Sequence, residues 1–213
     1  MTQALTEAKQ IVLNKTKTVV KVTYDDFADN PRDWDMASNW LCFHNRYNLG
    51  DTNINKDFDK DDYDNWEEVE DAIKEKYDVA FIVPLSLYDH SVQQVSIGEA
   101  SGWDCGRIGF AFMTKEQAKE FIPNIDDYKE LNKPMQDKLL SVIQSEVNTY
   151  NQWLIGDVKC IEVYDVYEDE NGLVEHEELI DSCCGFYFDK DYTSEMAIKD
   201  TFGLKDGEYE LEE

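Results

Sequence analysis

The stretch Asn132–Gly156, "NKPMQDKLLSVIQSEVNTYNQWLIG", organises the chain on either side of it. Met135, Leu139, Ile143, Val147, Tyr150 and Leu154 recur at spacings of three and four, which predicts a helix over 134–155 with one apolar stripe turned to the core. Pro134 falls in the first turn, where a missing N–H costs nothing, and Gly156 supplies the stop. Outside this helix the period drops to two. "TKTVVKVTY" (16–24), "VAFIVPLSLY" (79–88), "VQQVSIG" (92–98) and "GRIGFAFM" (106–113) read as strands before it. After it come "VKCIEVYDVY" (158–167) and "LVEHEELI" (173–180), joined as a hairpin through Glu170-Asn171-Gly172, and then a further strand, "CCGFYF" (183–188).

Runs of strands around one long helix indicate an α+β fold with a mainly antiparallel sheet. Several short helices accompany it: 2–14, 194–202, and 65–77 with Trp66, Val69, Ile73 and Tyr77 on one face. Thr114 followed by Gln117 forms a capping box that opens another over 115–121. Pro84 places its strand at a sheet edge or a bulge. With no repeat, linker or clean boundary, residues 1–213 read as a single domain. It carries an acidic insertion at about 51–71 and an acidic, frayed tail at 205–213.

The charge is the outlying property. Twenty Lys and Arg stand against 47 Asp and Glu, a net of −27, whereas solubility needs a magnitude of only about 2–8. No basic patch exists to displace counterions from phosphate, so direct nucleic-acid binding is excluded and a basic protein surface is the expected partner. The acids come in blocks. "DFDKDDYDNWEE" (57–68) opens a run of nine carboxylates and one lysine up to Asp71, and Asp165–Glu178 holds seven with no Lys or Arg. Duplex DNA carries one negative charge per ~1.7 Å of axis, and carboxylates every one to three residues approach that density. The candidate partner-binding residues are Asp57, Asp59, Asp61, Asp62, Asp64, Glu67 and Glu68, with Glu168, Asp169, Glu170, Glu175, Glu177 and Glu178 in the second block. Tyr63, Trp66, Tyr164 and Tyr167 are the neighbouring apolar or cation–π anchors.

The first block also has calcium-loop spacing. Asp57, Asp59, Asp61, the Tyr63 carbonyl, Asn65 and Glu68 occupy the ligand positions of an EF-hand, but Asp62 stands where the loop needs glycine and no helix precedes it. A second chemical alternative uses Cys42 and His44, Asp89 and His90, and Asp104, with Cys105 as nucleophile and His90 as base. None of these has zinc spacing, and no cofactor is expected. Five cysteines, odd in number and irregular in spacing, read as reduced thiols. The N-terminus has no secretory h-region, and no apolar run approaches the length of a membrane span.

Four segments occur in order: "CFHNRYNLGD" (42–51), "LSLYDHS" (85–91), "WDCGRIGF" (103–110) and "DSCCGFYF" (181–188). Together they resemble an uncharacterised family of small proteins encoded by phages, plasmids and other mobile elements of Gram-positive bacteria. The likeness spans about residues 31–188. Cys105 stands where the family pattern has serine, Asn45 where it has arginine and Cys184 where it has tryptophan. The resemblance implies a protein deployed in the cytoplasm of a bacterial host, where such elements counter restriction and CRISPR nucleases. Charge and context together give the expectation of a non-enzymatic DNA mimic, an anti-CRISPR or antirestriction inhibitor of a host DNA-binding defence nuclease.

Overall fold

The computed structural model describes residues 15–99, 101–123 and 131–212; the helix expected over 2–14 lies outside them. In chain order β1 (Lys17–Tyr24) leads to β2 (Asn39–Cys42), α1 (Thr52–Asn55) and α2 (Trp66–Lys76). Next come β3 (Val79–Asp89), β4 (Gln93–Ile97), β5 (Cys105–Thr114), α3 (Lys115–Phe121) and α4 (Lys133–Leu154). The chain closes with β6 (Lys159–Glu168), β7 (Val174–Phe186), α5 (Ser194–Phe202) and β8 (Glu210–Glu212). The mixed α+β class follows the sequence reading, with α4 much the longest helix.

Two compact units replace the expected single domain: Ala28–Asp157, and the described parts of Met1–Phe27 with Val158–Glu213. The boundary is topological and leaves no trace in composition. β1 and β6 pair along their full length, from Lys17 opposite Val166 to Tyr24 opposite Lys159. The chain therefore leaves this sheet at Tyr24, builds the other unit, and returns one strand away.

The sheet of the inner unit has the order β2-β5-β3-β4, antiparallel throughout. Side chains alternate across it. Trp40, Ala111 and Met113 face Leu139, Ile143, Val147 and Tyr150 of α4, with the Trp40 and Tyr150 rings edge-on at 5.2 Å. Leu41, Phe110 and Phe112 face Ile54, Phe58, Val69 and Ile73 on the other side. This explains why β5 reads as a continuous apolar run: both of its faces are covered. Each fully buried Leu or Ile stabilises by about 1.5–3 kcal/mol. The segment 51–71, expected as an insertion, supplies three of these buried side chains, Ile54, Phe58 and Val69, and forms part of one layer of the unit. Pro84 sits where β4 ends alongside β3, one residue before a bulge between Leu85 and Ser86, so a missing N–H is tolerated there. The capping box at Thr114 and Gln117 is present in full.

The second sheet has the order β7-β6-β1-β8, and its core joins Val20, Ile161 and Val163 to Ala197 and Ile198 of α5. Three expectations are corrected here. The acidic tail is not frayed: Glu210–Glu212 pairs parallel with β1, where Lys17 binds Glu210 at 2.8 Å and Lys21 lies 3.9 Å from Glu212. Acids that read as solvated find their counter-charges on a neighbouring strand. The two strands expected at 173–180 and 183–188 are one, β7, whose three bulges place Glu175, Ile180 and Gly185 as extra residues opposite β6. Finally, the thiols are not all reduced. Antiparallel register sets Cys160 opposite Cys184, and the two form a disulfide, while Cys42, Cys105 and Cys183 are free. Sequence spacing could not show a pairing fixed by strand register.

Candidate functional site

The most densely bonded polar group of the inner unit is buried. Asn30 accepts the Arg32 N–H and opens a single helical turn, which directs the Arg32 side chain inward. Its guanidinium donates to both oxygens of Asp51 at 2.6 and 2.9 Å, to Glu146 of α4 at 3.1 Å and to the Ser38 carbonyl at 2.6 Å. Glu146 also accepts the Ser38 N–H at 3.0 Å and its hydroxyl, and Asp51 accepts the Trp40 N–H at 2.8 Å. The guanidinium lies 4.4 Å from the Trp40 ring centroid. Burial opposes its charge, but Asp51 and Glu146 outweigh that and move its pKa upward. Every carboxylate oxygen of Asp51 and Glu146 is taken up within the protein. Sequence reading missed this network, although Glu146 gave a signal by standing between Ile143 and Tyr150 on the buried stripe of α4.

Next to it, Cys42 is buried, and desolvation followed by the Asp51 charge pushes its thiol far above the ordinary range. That removes Cys42 as a nucleophile. The motif glycines have steric reasons. Gly50 holds φ +72°, and a Cβ there would lie 2.9 Å from the Cys42 Sγ and the Trp40 carbonyl oxygen. At Gly109 a Cβ would stand 1.8 Å from the Leu41 carbonyl oxygen.

Three of the four motif segments meet at one end of the inner sheet. β5 lies between β2 and β3, so the end of β2, the end of β3 and the start of β5 are neighbours, with Cys42 opposite Gly109 and Tyr88 opposite Cys105. The Asp89 N–H bonds the Asp104 carbonyl at 2.8 Å and fixes the two loops together. A cavity of about 280 Å³ opens there, lined by His44, Arg46, Asp89, Trp103, Asp104 and Arg107 among others. His44 Nδ1 accepts the Arg46 and Tyr47 N–H groups at 3.3 and 3.2 Å, which in the neutral ring leaves the proton on Nε2. The imidazole stacks on Tyr47 at 4.9 Å. Arg46 pairs with Asp89, whose other oxygen accepts the Tyr47 hydroxyl at 3.1 Å. His90 Nδ1 stands 3.5 Å from Asp104. Arg107 donates to Glu99 at 2.7 Å and keeps a buried Nε–H without an acceptor. Trp103 is fully exposed.

The cleft thus gathers His44, Asp89 and Asp104 of the sequence-derived set, with His90 beside Asp104, and adds Arg46, Arg107 and Trp103. It does not complete a nucleophilic pair, because Cys105 makes no hydrogen bond to His90. The fourth motif, 181–188, belongs to the other unit.

The acidic residues are placed as follows. Asp57 accepts from the Tyr77 hydroxyl at 2.7 Å and pairs with Lys76 at 3.1 Å, which lowers its pKa in that order of effect. Asp59 caps the turn Lys60–Asp62, and Glu68 accepts from the Asp64 N–H and the Asn65 amide. In the second block Glu168 and Glu177 pair with Lys17 and Lys21 of β1. Glu178 accepts from Tyr167, and Asp169 accepts the Leu173 and Asn171 N–H groups, which lower its pKa. The side chains of Asp61, Asp62, Asp64, Glu67, Glu170 and Glu175 have no such partner and are exposed. The calcium loop does not assemble. Asp57, Asp59 and Glu68 are engaged locally while Asp61 is exposed, and the one group of three acid, His or Cys ligand atoms within 4.8 Å among the described residues is Asp25, Cys160 and Cys184. Both of those sulfurs are held in the disulfide.

No helix among the described residues is long and apolar enough to cross a membrane. No family model, curated protein or solved structure matches the chain.

Proposed function

We propose that the protein acts through the cleft at the end of the inner sheet, which holds a small anion-bearing ligand between Arg46 and Arg107 and exchanges protons with it through His44 and His90. One observation carries this reading. The chain has three histidines and three arginines; one arginine is spent in the buried network, three of the remaining five residues line this cavity, and His90 stands beside it against Asp104. An acidic protein whose other cations are lysines has brought two of its three arginines and two of its three histidines together. The unpartnered Arg107 Nε–H supports a missing acceptor, since a buried donor without one costs about 1–3 kcal/mol. Chemistry of this kind is acid–base rather than nucleophilic, with Asp104 orienting His90 and Asp89 holding Arg46.

The test is a proton NMR titration of the imidazole signals with inorganic phosphate and with a nucleoside monophosphate. His44 and His90 signals are expected to move together and saturably, while His176, which lies on β7 in the other unit, stays still as an internal control. Three histidines shifting alike, or none, would refute the cleft as a site.

A second reading, the DNA-like decoy, is favoured by the exposed and unpartnered carboxylates Asp61, Asp62, Asp64, Glu67, Glu170 and Glu175. In it the protein, carried by a mobile element into a host cytoplasm, occupies the basic channel of a restriction or CRISPR nuclease. Changing Asp61, Asp62, Asp64 and Glu67 to lysine would abolish inhibition of such a nuclease. Inhibition that survives reversal in each block removes this reading.

A further inference from the structure

The acidic loop at 57–68 borders a cavity that the cleft does not use. It has a volume of about 220 Å³ and is walled by Phe43, Tyr63 and Trp66, with Val69 behind them and Asp64 and Lys60 at the edge. Phe43 and Trp66 stack at 6.2 Å between centroids, and Tyr63 packs against Phe58 at 6.5 Å. Three aromatic rings are thus held in place around one opening by the packing of α2 on the sheet. The surrounding charge has a definite sign: between Lys56 and Glu68 there are seven carboxylates and two lysines.

The same cluster already binds a guanidinium from within. Arg107 lies 5.4 Å from the Trp66 ring centroid and 4.2 Å from that of Phe110. Aromatic faces attract a planar cation through the ring quadrupole, and nearby carboxylates raise the local cation concentration.

We infer that this pocket is a recognition site for an arginine side chain presented by a basic partner protein, with Phe43, Tyr63 and Trp66 as its walls and Asp64 as its carboxylate. Arginine is favoured over lysine because a flat, weakly hydrated guanidinium stacks on aromatic rings, whereas a compact ammonium keeps its water. The inference gives the acidic-surface reading a specific anchor and rests on it for the identity of the partner, but not for the pocket itself.

The experiment compares two synthetic nonapeptides of equal charge, alternating Arg-Gly and alternating Lys-Gly, titrated against the full chain by calorimetry at low and at high salt. The Arg peptide is expected to bind more tightly. Tyr63→Leu, which keeps apolar packing but removes the ring, should weaken it roughly three- to thirtyfold, the range for losing a partly desolvated cation–π contact. Asp64→Asn should weaken it less, and the preference for arginine should persist at high salt. Changing Glu195 to glutamine and Asp200 to asparagine, both exposed and in the other unit, should leave that preference intact. Circular dichroism of each variant excludes loss of folding, and Phe43→Leu provides a second ring deletion should Tyr63→Leu fail to fold. Equal binding of the two peptides, unchanged by ring deletion, would overturn the pocket while leaving the diffuse acidic surface standing. Binding of neither peptide would overturn both.

Discussion

Arg32 and Arg46 each clasp an aspartate and each lie over an aromatic ring, Trp40 at 4.4 Å and Tyr47 at 5.3 Å. They differ in exposure: the Arg32 side chain is 1% accessible and that of Arg46 is 67%. Identical chemistry therefore serves two ends. In the interior four of the five guanidinium N–H groups of Arg32 and every carboxylate oxygen of Asp51 and Glu146 are bonded to protein groups, so the trio holds segments of the fold in register. At the cleft the Arg46 pair is solvated, and an incoming anion can compete for its guanidinium. The tyrosine–carboxylate pair Tyr77–Asp57 stands between these extremes.

The largest effect is expected at the buried end. Arg32→Ala leaves Asp51 and Glu146 buried without their counter-charge, and unfolding free energy measured in urea should fall by about 3–5 kcal/mol. A loss below about 1 kcal/mol would mean that the interior admits water and that the two arginines are not different in kind.

The intermediate pair gives a pH-dependent signature. Burial first, and then the Asp57 charge, push the Tyr77 hydroxyl up to about 12 from an ordinary value near 10. A raised folded-state pKa means a stabilising contribution that is complete below pH 10 and is lost as pH rises through about 12. Asp57 is shifted the other way, so its share is present at neutral pH and lost as acid protonates it. Tyr77→Phe should therefore melt less steeply than the parent protein between about pH 10 and pH 12. Parallel melting curves over that range would show that Tyr77 titrates as if unfolded.

What the sequence made legible was local. Periodicity placed α2 and α4, the Thr114-x-x-Gln117 box placed the start of α3, and β-branched alternation placed β1. What it hid depended on pairing between distant segments. Cys160 and Cys184 are joined by strand register, Glu210 is held by Lys17 from the far end of the chain, and the unit boundary falls just past the end of the β1–β6 pair. The motif residues were legible as a group, because Trp, His, Asp and Gly cluster in short segments. Their sorting was not. Gly50 and Gly109 answer to sterics, Cys42 to burial, and His44, Asp89 and Asp104 to a cavity that exists only once β2, β3 and β5 lie side by side. The acidic blocks were visible as charge, yet half of their named carboxylates turn out to be engaged in caps and ion pairs that residue counts cannot distinguish from free ones.

The smallest effect on stability is expected at the exposed end, and it is the most decisive for function. Arg46→Ala removes a solvated ion pair, and such pairs contribute about 0–1 kcal/mol, so the urea midpoint should barely move. Asp89 keeps the Tyr47 hydroxyl and so retains a partner. His44 keeps its two backbone donors, because the N–H of residue 46 survives the substitution. The cleft should therefore persist in shape while losing one guanidinium. Under the proposed function, phosphate should no longer shift the His44 signal saturably, although the fold and the His176 signal are unchanged. A variant that binds as the parent does would assign Arg46 to the surface charge alone. One that unfolds would place it beside Arg32, as a structural cation that happens to be wet.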